Sequence, residues 1–349
     1  MSGPALPPSP LARFGGRLAT GLRDVTSDPA ALDSAGFWAV VHDFEGRLTC
    51  ARFDDVRPAP APPRADAWRG PHPDSWRSSL DRSAYTAGVR RIREHIAAGE
   101  VYQANLCRVL SAPLPDPARS DIDALTGLLA LGNPAPYAGT VRLPAHGVEI
   151  ATASPELYLR RDGDTVSSGP IKGTGRTEDD LLAKDHAENV MIVDLVRNDL
   201  GRVCATGTVT VPDLCVVEKH PGLVHLVSTV RGTLRADAGW PGLFAGTFPP
   251  GSVTGAPKSS ALGIIDALER APRGPYCGAV GWVDADRGEG ELAVGIRTFW
   301  IDRADPEAPV LRFGTGAGIT WDSDPDREWA ETELKAARLV AIASAAGTP

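Results

Sequence analysis

Apolar positions recur along the chain in two rhythms. Phe37-Trp38-Ala39-Val40-Val41 and Leu48 to Phe53 are short apolar runs on either side of Glu45-Gly46, a pattern that predicts a hairpin. Tyr85, Val89, Ile92 and Ile96 follow at offsets of 4, 7 and 11, the stripe of an amphipathic helix over residues 81–98 that Gly99 closes. A strand is expected over 101–110. Beyond residue 148, strand-like stretches at 149–160, 206–218, 223–234, 276–284, 290–301 and 309–313 are interspersed with helical patterns near 178–199, 255–270 and 325–345. Several neighbouring strands have no helix between them, which points to an α+β layered architecture with antiparallel pairing. Residues 57–73 contain six prolines and read as a linker. The chain is thus divided into a short N-terminal strand-containing segment (1–56), a Pro-rich linker (57–78) and a main domain (79–349).

Composition narrows the partners. With 42% hydrophobic and 23% charged residues over 349 positions, the chain can bury a full core. Its net charge of −8 offers no positive field for nucleic acid or an anionic membrane. No apolar run approaches a membrane span. Five scattered cysteines without a C-x-x-C pair indicate neither a disulfide framework nor a zinc knuckle, so a cytoplasmic setting is expected.

Several residues could carry chemistry. In the helix near 178–199, Asp185, Glu188, Ile192 and Leu195 share one side, so Glu188 continues into an apolar row; it is either a surface acid paired with Arg197 or Arg202, or a metal ligand. The last helix opens with Asp324-Pro325 and aligns Glu328, Glu331, Lys335 and Arg338 on one face. Glu331 and Lys335 alone would be an ordinary helical ion pair. The preceding Gly314-Thr315-Gly316-Ala317-Gly318 permits close approach to a ligand, and with Glu188 the two acids would suit Mg²⁺. Strand alternation over 291–300 sets Arg297 beside Ala293 and Gly295, leaving room for a carboxylate or for a salt bridge. Lys172, flanked by glycines, is either a nucleophile of depressed pKa or a loop lysine. Gly251 to Ser259 lacks the phosphate-loop ending, and Gly314-Thr315-Gly316 lacks the third dinucleotide glycine, so nucleotide binding is not expected.

Together, Val101 to Leu106, Ser154-Pro155-Glu156-Leu157, Pro170 to Thr174, Asp185 to Val203, His225 to Ser228, Gly251 to Lys258, Tyr276-Cys277-Gly278, Ile296-Arg297-Thr298 and Gly316 to Thr332 resemble the chorismate-utilising enzymes over residues 80–345. The resemblance implies a four-layer α/β/β/α fold with two central, mainly antiparallel sheets. It also implies Glu188 and Glu331 as principal Mg²⁺ ligands with Asp185 and Glu328 beside them. Arg297, Tyr276, Lys335 and the backbone N–H groups of Gly316 and Gly318 would bind substrate carboxylates, while Thr254, His225 and Thr174 would line the pocket.

Members that add water to chorismate resemble this chain except for a lysine where it has Gln103, which cannot act as a base. Lysine at position 172 is similar to the branch that makes 4-amino-4-deoxychorismate. The resemblance therefore implies that Lys172 attacks ring carbon 2 while Glu156 protonates the departing 4-hydroxyl, after which ammonia enters at carbon 4. The nearest alternatives are ortho-amination of the anthranilate type and a non-catalytic chorismate-binding partner of an amidotransferase. No glutaminase-like or pyridoxal-phosphate lyase-like segment is visible, so a separate glutamine amidotransferase and a downstream lyase are expected as partners in 4-aminobenzoate formation, for folate or a secondary metabolite.

Overall fold

The computed structural model describes residues 9–61, 67–175, 177–181, 183–220 and 223–344. In chain order its strands are β1 (Leu11–Phe14), β2 (Arg17–Thr26), β3 (Phe37–His42), β4 (Leu48–Pro58), β5 (Arg77–Ser78), β6 (Gln103–Pro113), β7 (Tyr137–Leu143), β8 (Val148–Ser154) and β9 (Leu157–Asp162). They continue with β10 (Thr165–Gly169), β11 (Ile171–Gly175), β12 (Thr210–His220), β13 (Leu223–Thr233), β14 (Gly255–Ala256), β15 (Ala279–Asp284), β16 (Glu289–Val294), β17 (Thr298–Asp302) and β18 (Val310–Ile319). The helices are α1 (Arg82–Ala97), α2 (Ile122–Gly132), α3 (Ala183–Gly201), α4 (Trp240–Thr247), α5 (Lys258–Leu268) and α6 (Pro325–Ser344).

Every strand pairing is antiparallel, and β4 joins two limbs. From β4 one limb runs β3, β15, β16, β9, β10, β13, β12. The other runs β2, β1, β7, β8, β17, β18, β6. Phe14, Phe37, Phe53, Val141, Ile150 and Val280 come from both limbs and form one cluster, so the limbs stack face to face. Ile192 and Leu200 of α3 and Leu243 of α4 cover the outside of the first limb against Leu159 and Val230. Leu125 of α2 and Leu339 of α6 cover the second against Phe299 and Phe313. The resulting order is helix, sheet, sheet, helix, the four-layer α+β architecture that the resemblance implied.

The hairpin of β3 and β4 and the helix α1 lie where the apolar pattern put them. Asp81 caps α1 by accepting from the Ala84 N–H at 2.8 Å, and Gly99 takes φ +76°. The helix expected from residue 178 instead begins at Ala183. Glu178–Asp180 close a separate 3-10 turn, because Thr177 and Asp180 form a reciprocal capping box and Leu181 is extended. The pattern did not disclose α2: Ile122, Ala124, Leu125 and Leu129 are all buried, so the helix has little polar face from which a period could be read.

The proline-rich stretch does not separate the N-terminal segment from the main domain. Strands β1 and β3 from the N-terminal segment pair with β7 and β15 of the main domain. Trp68, within that stretch, is wholly buried and donates its indole N–H to Ala343 O at 2.8 Å, while Trp76 reaches Ser344 Oγ at 2.9 Å. The stretch therefore straps the end of α6. Trp68→Ala is expected to cost about 3–5 kcal/mol, measured by urea unfolding, because it leaves both a cavity and an unpaired carbonyl.

Candidate active site

Two strands that the sequence presents as continuous are interrupted, and the interruptions lie side by side. The stretch 149–160 breaks at Pro155-Glu156 into β8 and β9, and 290–301 breaks at Gly295–Arg297 into β16 and β17. The Val294 N–H donates to Glu156 O and the Ala153 N–H to Arg297 O, each at 3.0 Å, and Ser154 Oγ donates to Val294 O at 2.7 Å. Arg297 takes φ +52°, so the strand alternation expected for it does not apply; a left-handed turn aims this side chain. The guanidinium is half-buried, burial holds its pKa below the ordinary arginine value, and among the described residues no carboxylate comes within ion-pair distance. A desolvated cation of this kind is a site for an anion.

The glycine strand β18 supplies donors beside it. Asn105, Cys107 and Val109 of β6 send their N–H groups away from β18, to Thr254 O, Glu269 Oε1 and Ser79 Oγ respectively. Their cross-strand partners are Gly318, Gly316 and Gly314, which are therefore non-hydrogen-bonded pairs whose own N–H groups point away from β6. Pairing of β18 with β17 stops at Phe313. The N–H groups of Gly316 and Gly318 thus face the opening left where β17 ends, with Arg297 immediately before β17. A Cβ on Gly314 would sit 2.0 Å from the Tyr276 ring, so only glycine fits there. Tyr276 is buried against it, and its hydroxyl is engaged by the Cys107 thiol at 3.8 Å rather than by any of the other expected carboxylate binders.

Lys172 lies on β11 opposite Leu226 of β13, followed by Gly173 at φ +75°. Burial lowers its pKa; Glu188, Glu156 and Glu331 pull the other way, and Lys335 adds to the lowering. The cation acting on it is Lys335. Glu156 is buried and pushed up to about 7 by that burial, against the opposing effects of the Ser252 hydroxyl, Lys172 and the Ile171 N–H. A carboxylic acid that keeps its proton near neutrality stands beside an amine that loses its proton more easily than usual, the pairing that acid-assisted nucleophilic chemistry requires.

Glu328 and Glu331 project from the start of α6. Burial raises the Glu328 pKa, with Ser323 opposing. Burial would also raise Glu331, but Lys335, Lys184 and Lys172 outweigh it and hold that carboxyl below its usual range. Lys335 does form the helical ion pair with Glu331, at 2.6 Å, and its Nζ also donates to Gly316 O at 3.2 Å. On α3, Arg197 pairs with Asp194 at 3.1 Å rather than with Glu188.

Among the described residues no three acidic, histidine or cysteine side chains converge closely enough to hold a metal ion. The donor chemistry of Asp185, Glu188, Glu328 and Glu331 nonetheless fits a hard divalent cation. Two of these acids act on Lys172 from different helices, and three lysines supply positive charge among them.

Gln103 is wholly buried; its Nε2 donates to Asn105 Oδ1 at 3.2 Å, and its Oε1 has no partner among the described residues. Thr254 is buried with its hydroxyl turned to Pro250 O and Gly251 O, both at 3.2 Å. His225 is buried on β13 opposite Thr174 and Glu218. The side chain of Thr174 lies outside the described residues. Ser252 escaped sequence reasoning: it sits inside the run Gly251 to Lys258, but residue order does not show which hydroxyl turns toward Glu156.

A family model described as chorismate binding enzyme matches residues 41–341. The chain belongs to that family. It is 39% identical over 278 residues to anthranilate synthase component 1 1 of Haloarcula marismortui, covering 76% of this chain and 54% of the relative. It is 42% identical over 281 residues to the aminodeoxychorismate synthase of Streptomyces pristinaespiralis, covering 76% and 37%. The chain thus spans about half the length of the curated relatives it matches, or less. Its fold is shared with the anthranilate synthase component I of Streptococcus pneumoniae, at TM-score 0.71 and 23% identity over 97% of this chain and 82% of that one. It is also shared with a 2,3-dihydroxybenzoate-specific isochorismate synthase of Bacillus anthracis, at TM-score 0.78 and 24% identity over 96% and 95%.

Proposed function

We propose that the protein aminates chorismate at ring carbon 4 with ammonia, giving 4-amino-4-deoxychorismate, as component I of an aminodeoxychorismate synthase. The observation that carries this reading is Lys172, an amine of lowered pKa set among Glu156, Glu188 and Glu331. Neutral Lys172 attacks carbon 2 as the C4–O bond breaks, and the oxygen leaves with the Glu156 proton as water. In the second half the ammonia lone pair forms the C4–N bond, and the C2–N bond breaks with its electron pair returning to Lys172. Glu156 then takes a proton from the new C4 ammonium, which restores the acid. Arg297 and the outward N–H groups of Gly316 and Gly318 hold carboxylate oxygens. Mg²⁺ would be held by Glu188 and Glu331, with Asp185 and Glu328 beside them, and would supply charge stabilisation at the ring carboxylate.

A second reading, ortho-amination to anthranilate, is favoured by the names of several relatives, including the 41% identical anthranilate synthase component 1 of Streptomyces coelicolor. The two are separated by incubating the protein with chorismate, Mg²⁺ and ammonium at mildly alkaline pH, with and without a 4-amino-4-deoxychorismate lyase, and identifying products by chromatography and mass spectrometry. The para reading expects 4-aminobenzoate only with the lyase. Anthranilate or its amino precursor would sink it, and untouched chorismate would favour a non-catalytic binding partner. A separate glutamine amidotransferase supplies ammonia in this scheme, so added glutaminase subunit and glutamine should replace ammonium.

Arg297→Gly separates binding from folding. Glycine accepts φ +52° without strain, so the melting temperature should not fall, while lost charge-assisted hydrogen bonds should raise the KM for chorismate about 10–100-fold. Unchanged KM in steady-state assays would remove Arg297 from the substrate site.

A further inference from the structure

One buried ion pair takes no part in the scheme above. Glu269, just past α5, and Arg273 have side chains 7% and 1% exposed. The guanidinium forks onto the carboxylate, Nε to Oε2 at 2.8 Å and Nη2 to Oε1 at 2.6 Å. A buried ion pair adds little net stability over apolar side chains of similar volume. What this one supplies is directed bonds, and they run to three segments of the site. Strand β14 pairs with β6 only at Gln103 and Ala104, and β5 only at Leu110 and Ser111, so among the described residues no strand covers that edge of β6 between them. There Glu269 Oε1 accepts from the Cys107 N–H at 2.8 Å, and Arg273 Nη2 donates to Asn105 O at 3.2 Å. Cys107 and Asn105 are the cross-strand partners of Gly316 and Gly318. Arg273 Nη1 donates to Val253 O at 2.8 Å, in the turn between Ser252 and Thr254. Arg273 O accepts from the Tyr276 N–H at 3.2 Å, and the residues that follow bond to the break before Arg297. Cys277 N–H donates to Gly295 O at 3.0 Å, and Gly295 N–H to Gly278 O at 2.8 Å. The tip of the β3–β4 hairpin closes the outside: exposed Glu45 accepts from the N–H groups of Arg273 and Gly274 at 2.7 and 3.0 Å, and the Phe44 ring lies 4.2 Å from the guanidinium.

We propose that Glu269 and Arg273, buttressed by Glu45 of the N-terminal hairpin, are positioning residues for the chorismate carboxylates. The inference rests on the reading that Arg297 and the N–H groups of Gly316 and Gly318 hold those carboxylates. Both sets of donors stand on backbone that this pair fixes: the glycines through β6, and Arg297 through the turn at Tyr276 and Gly278 that bonds to Gly295. Charge-assisted hydrogen bonds lose strength steeply when a donor is misaimed, so fixing the backbone behind the donors acts on binding without touching the ligand. Burial is what lets one side-chain pair serve several segments, since water does not compete for its donors and acceptors. The hairpin tip, remote in sequence from every substrate group, thereby takes part in chorismate affinity.

The test measures chorismate binding by titration calorimetry with Mg²⁺ present, in a Lys172→Ala background so that no covalent step follows binding. Arg273→Lys keeps a cation against Glu269 but replaces the planar fork with a single ammonium, which cannot span Val253 O, Asn105 O and both Glu269 oxygens. It is expected to raise the Kd for chorismate about tenfold. Glu45→Ala should raise it about threefold with the melting temperature within about 4 °C, and Glu45→Gln, which keeps one acceptor oxygen, should fall between. If Arg273→Lys does not fold, the Glu45 series decides alone. A merely structural role would lower the melting temperature and the fraction of protein that binds while the Kd stays constant, and that result overturns the proposal. Arg297→Gly in the same background judges the underlying reading separately. If it weakens binding while the Arg273 and Glu45 variants do not, the carboxylate reading stands and the positioning role falls; if Arg297→Gly binds as tightly as its parent, the carboxylate reading itself falls.

Discussion

Lys172→Ala is expected to lower kcat/KM for chorismate amination by about three orders of magnitude or more, because it removes the nucleophile and leaves only binding and electrostatic stabilisation. Lys172→Arg should be no better, since guanidinium does not give up its proton to become a nucleophile. Folding should not suffer in Lys172→Ala, because the side chain removed is a cation whose charged form burial disfavours. Two readouts make the result specific. Intact-protein mass spectrometry after mixing with chorismate and Mg²⁺, without ammonium, should show a covalent adduct on the wild type and none on the variant. Amination assays should show para product lost rather than redirected. Full amination by Lys172→Ala would move the chemistry to the ortho type, which needs no lysine at this position.

Glu156→Gln is expected to act in opposite directions on activity and stability. Loss of the general acid should cost about 10²–10⁴-fold in rate. Stability should rise, and the sign follows from proton binding. Burial moves the carboxyl from its ordinary value of 4.5 up to about 7 in the folded protein, so between those values the folded state holds a proton that the unfolded state has released. Wild-type stability is therefore lost progressively as pH rises through this window, and the loss is complete above it. The glutamine variant escapes that loss, and its advantage should reach about 3 kcal/mol at alkaline pH and vanish near pH 4.5. Urea unfolding at both ends of the window measures it. In the wild type, kcat/KM at constant free ammonia should decline above pH about 7 as Glu156 loses its proton, and an amination rate with no such limb would show that Glu156 is not the acid.

Much of this molecule is legible from residue order. Period and capping mark α1 and α6, a turn between two apolar runs marks the β3–β4 hairpin, and the ordered series of short motifs carries the family resemblance. Local signals failed where the surroundings overrode them. Helix α2 is too uniformly buried to show a stripe, and Trp68, placed in a proline-rich stretch, is a core residue only because α6 ends against it. Asp324 and Pro325 do set where α6 starts, because a cap acts within one turn: the Asp326 and Arg327 N–H groups bond to Asp324 Oδ1 at 3.1 and 3.0 Å.

The sequence by itself determined the inventory of the site: a lysine between glycines, an acid after Ser-Pro, two pairs of helix acids, an arginine and a run of glycines. Only the tertiary structure decided what each can do. Glu156 is an acid of near-neutral pKa because the neighbouring layers bury it, and Arg297 stands at the edge of the opening because β16 and β17 break beside the break between β8 and β9. The N–H groups of Gly316 and Gly318 point into that opening because β17 ends at their edge of the sheet. Desolvation and unpaired backbone edges are properties of what a residue is packed against, and those neighbours come from distant stretches of the chain.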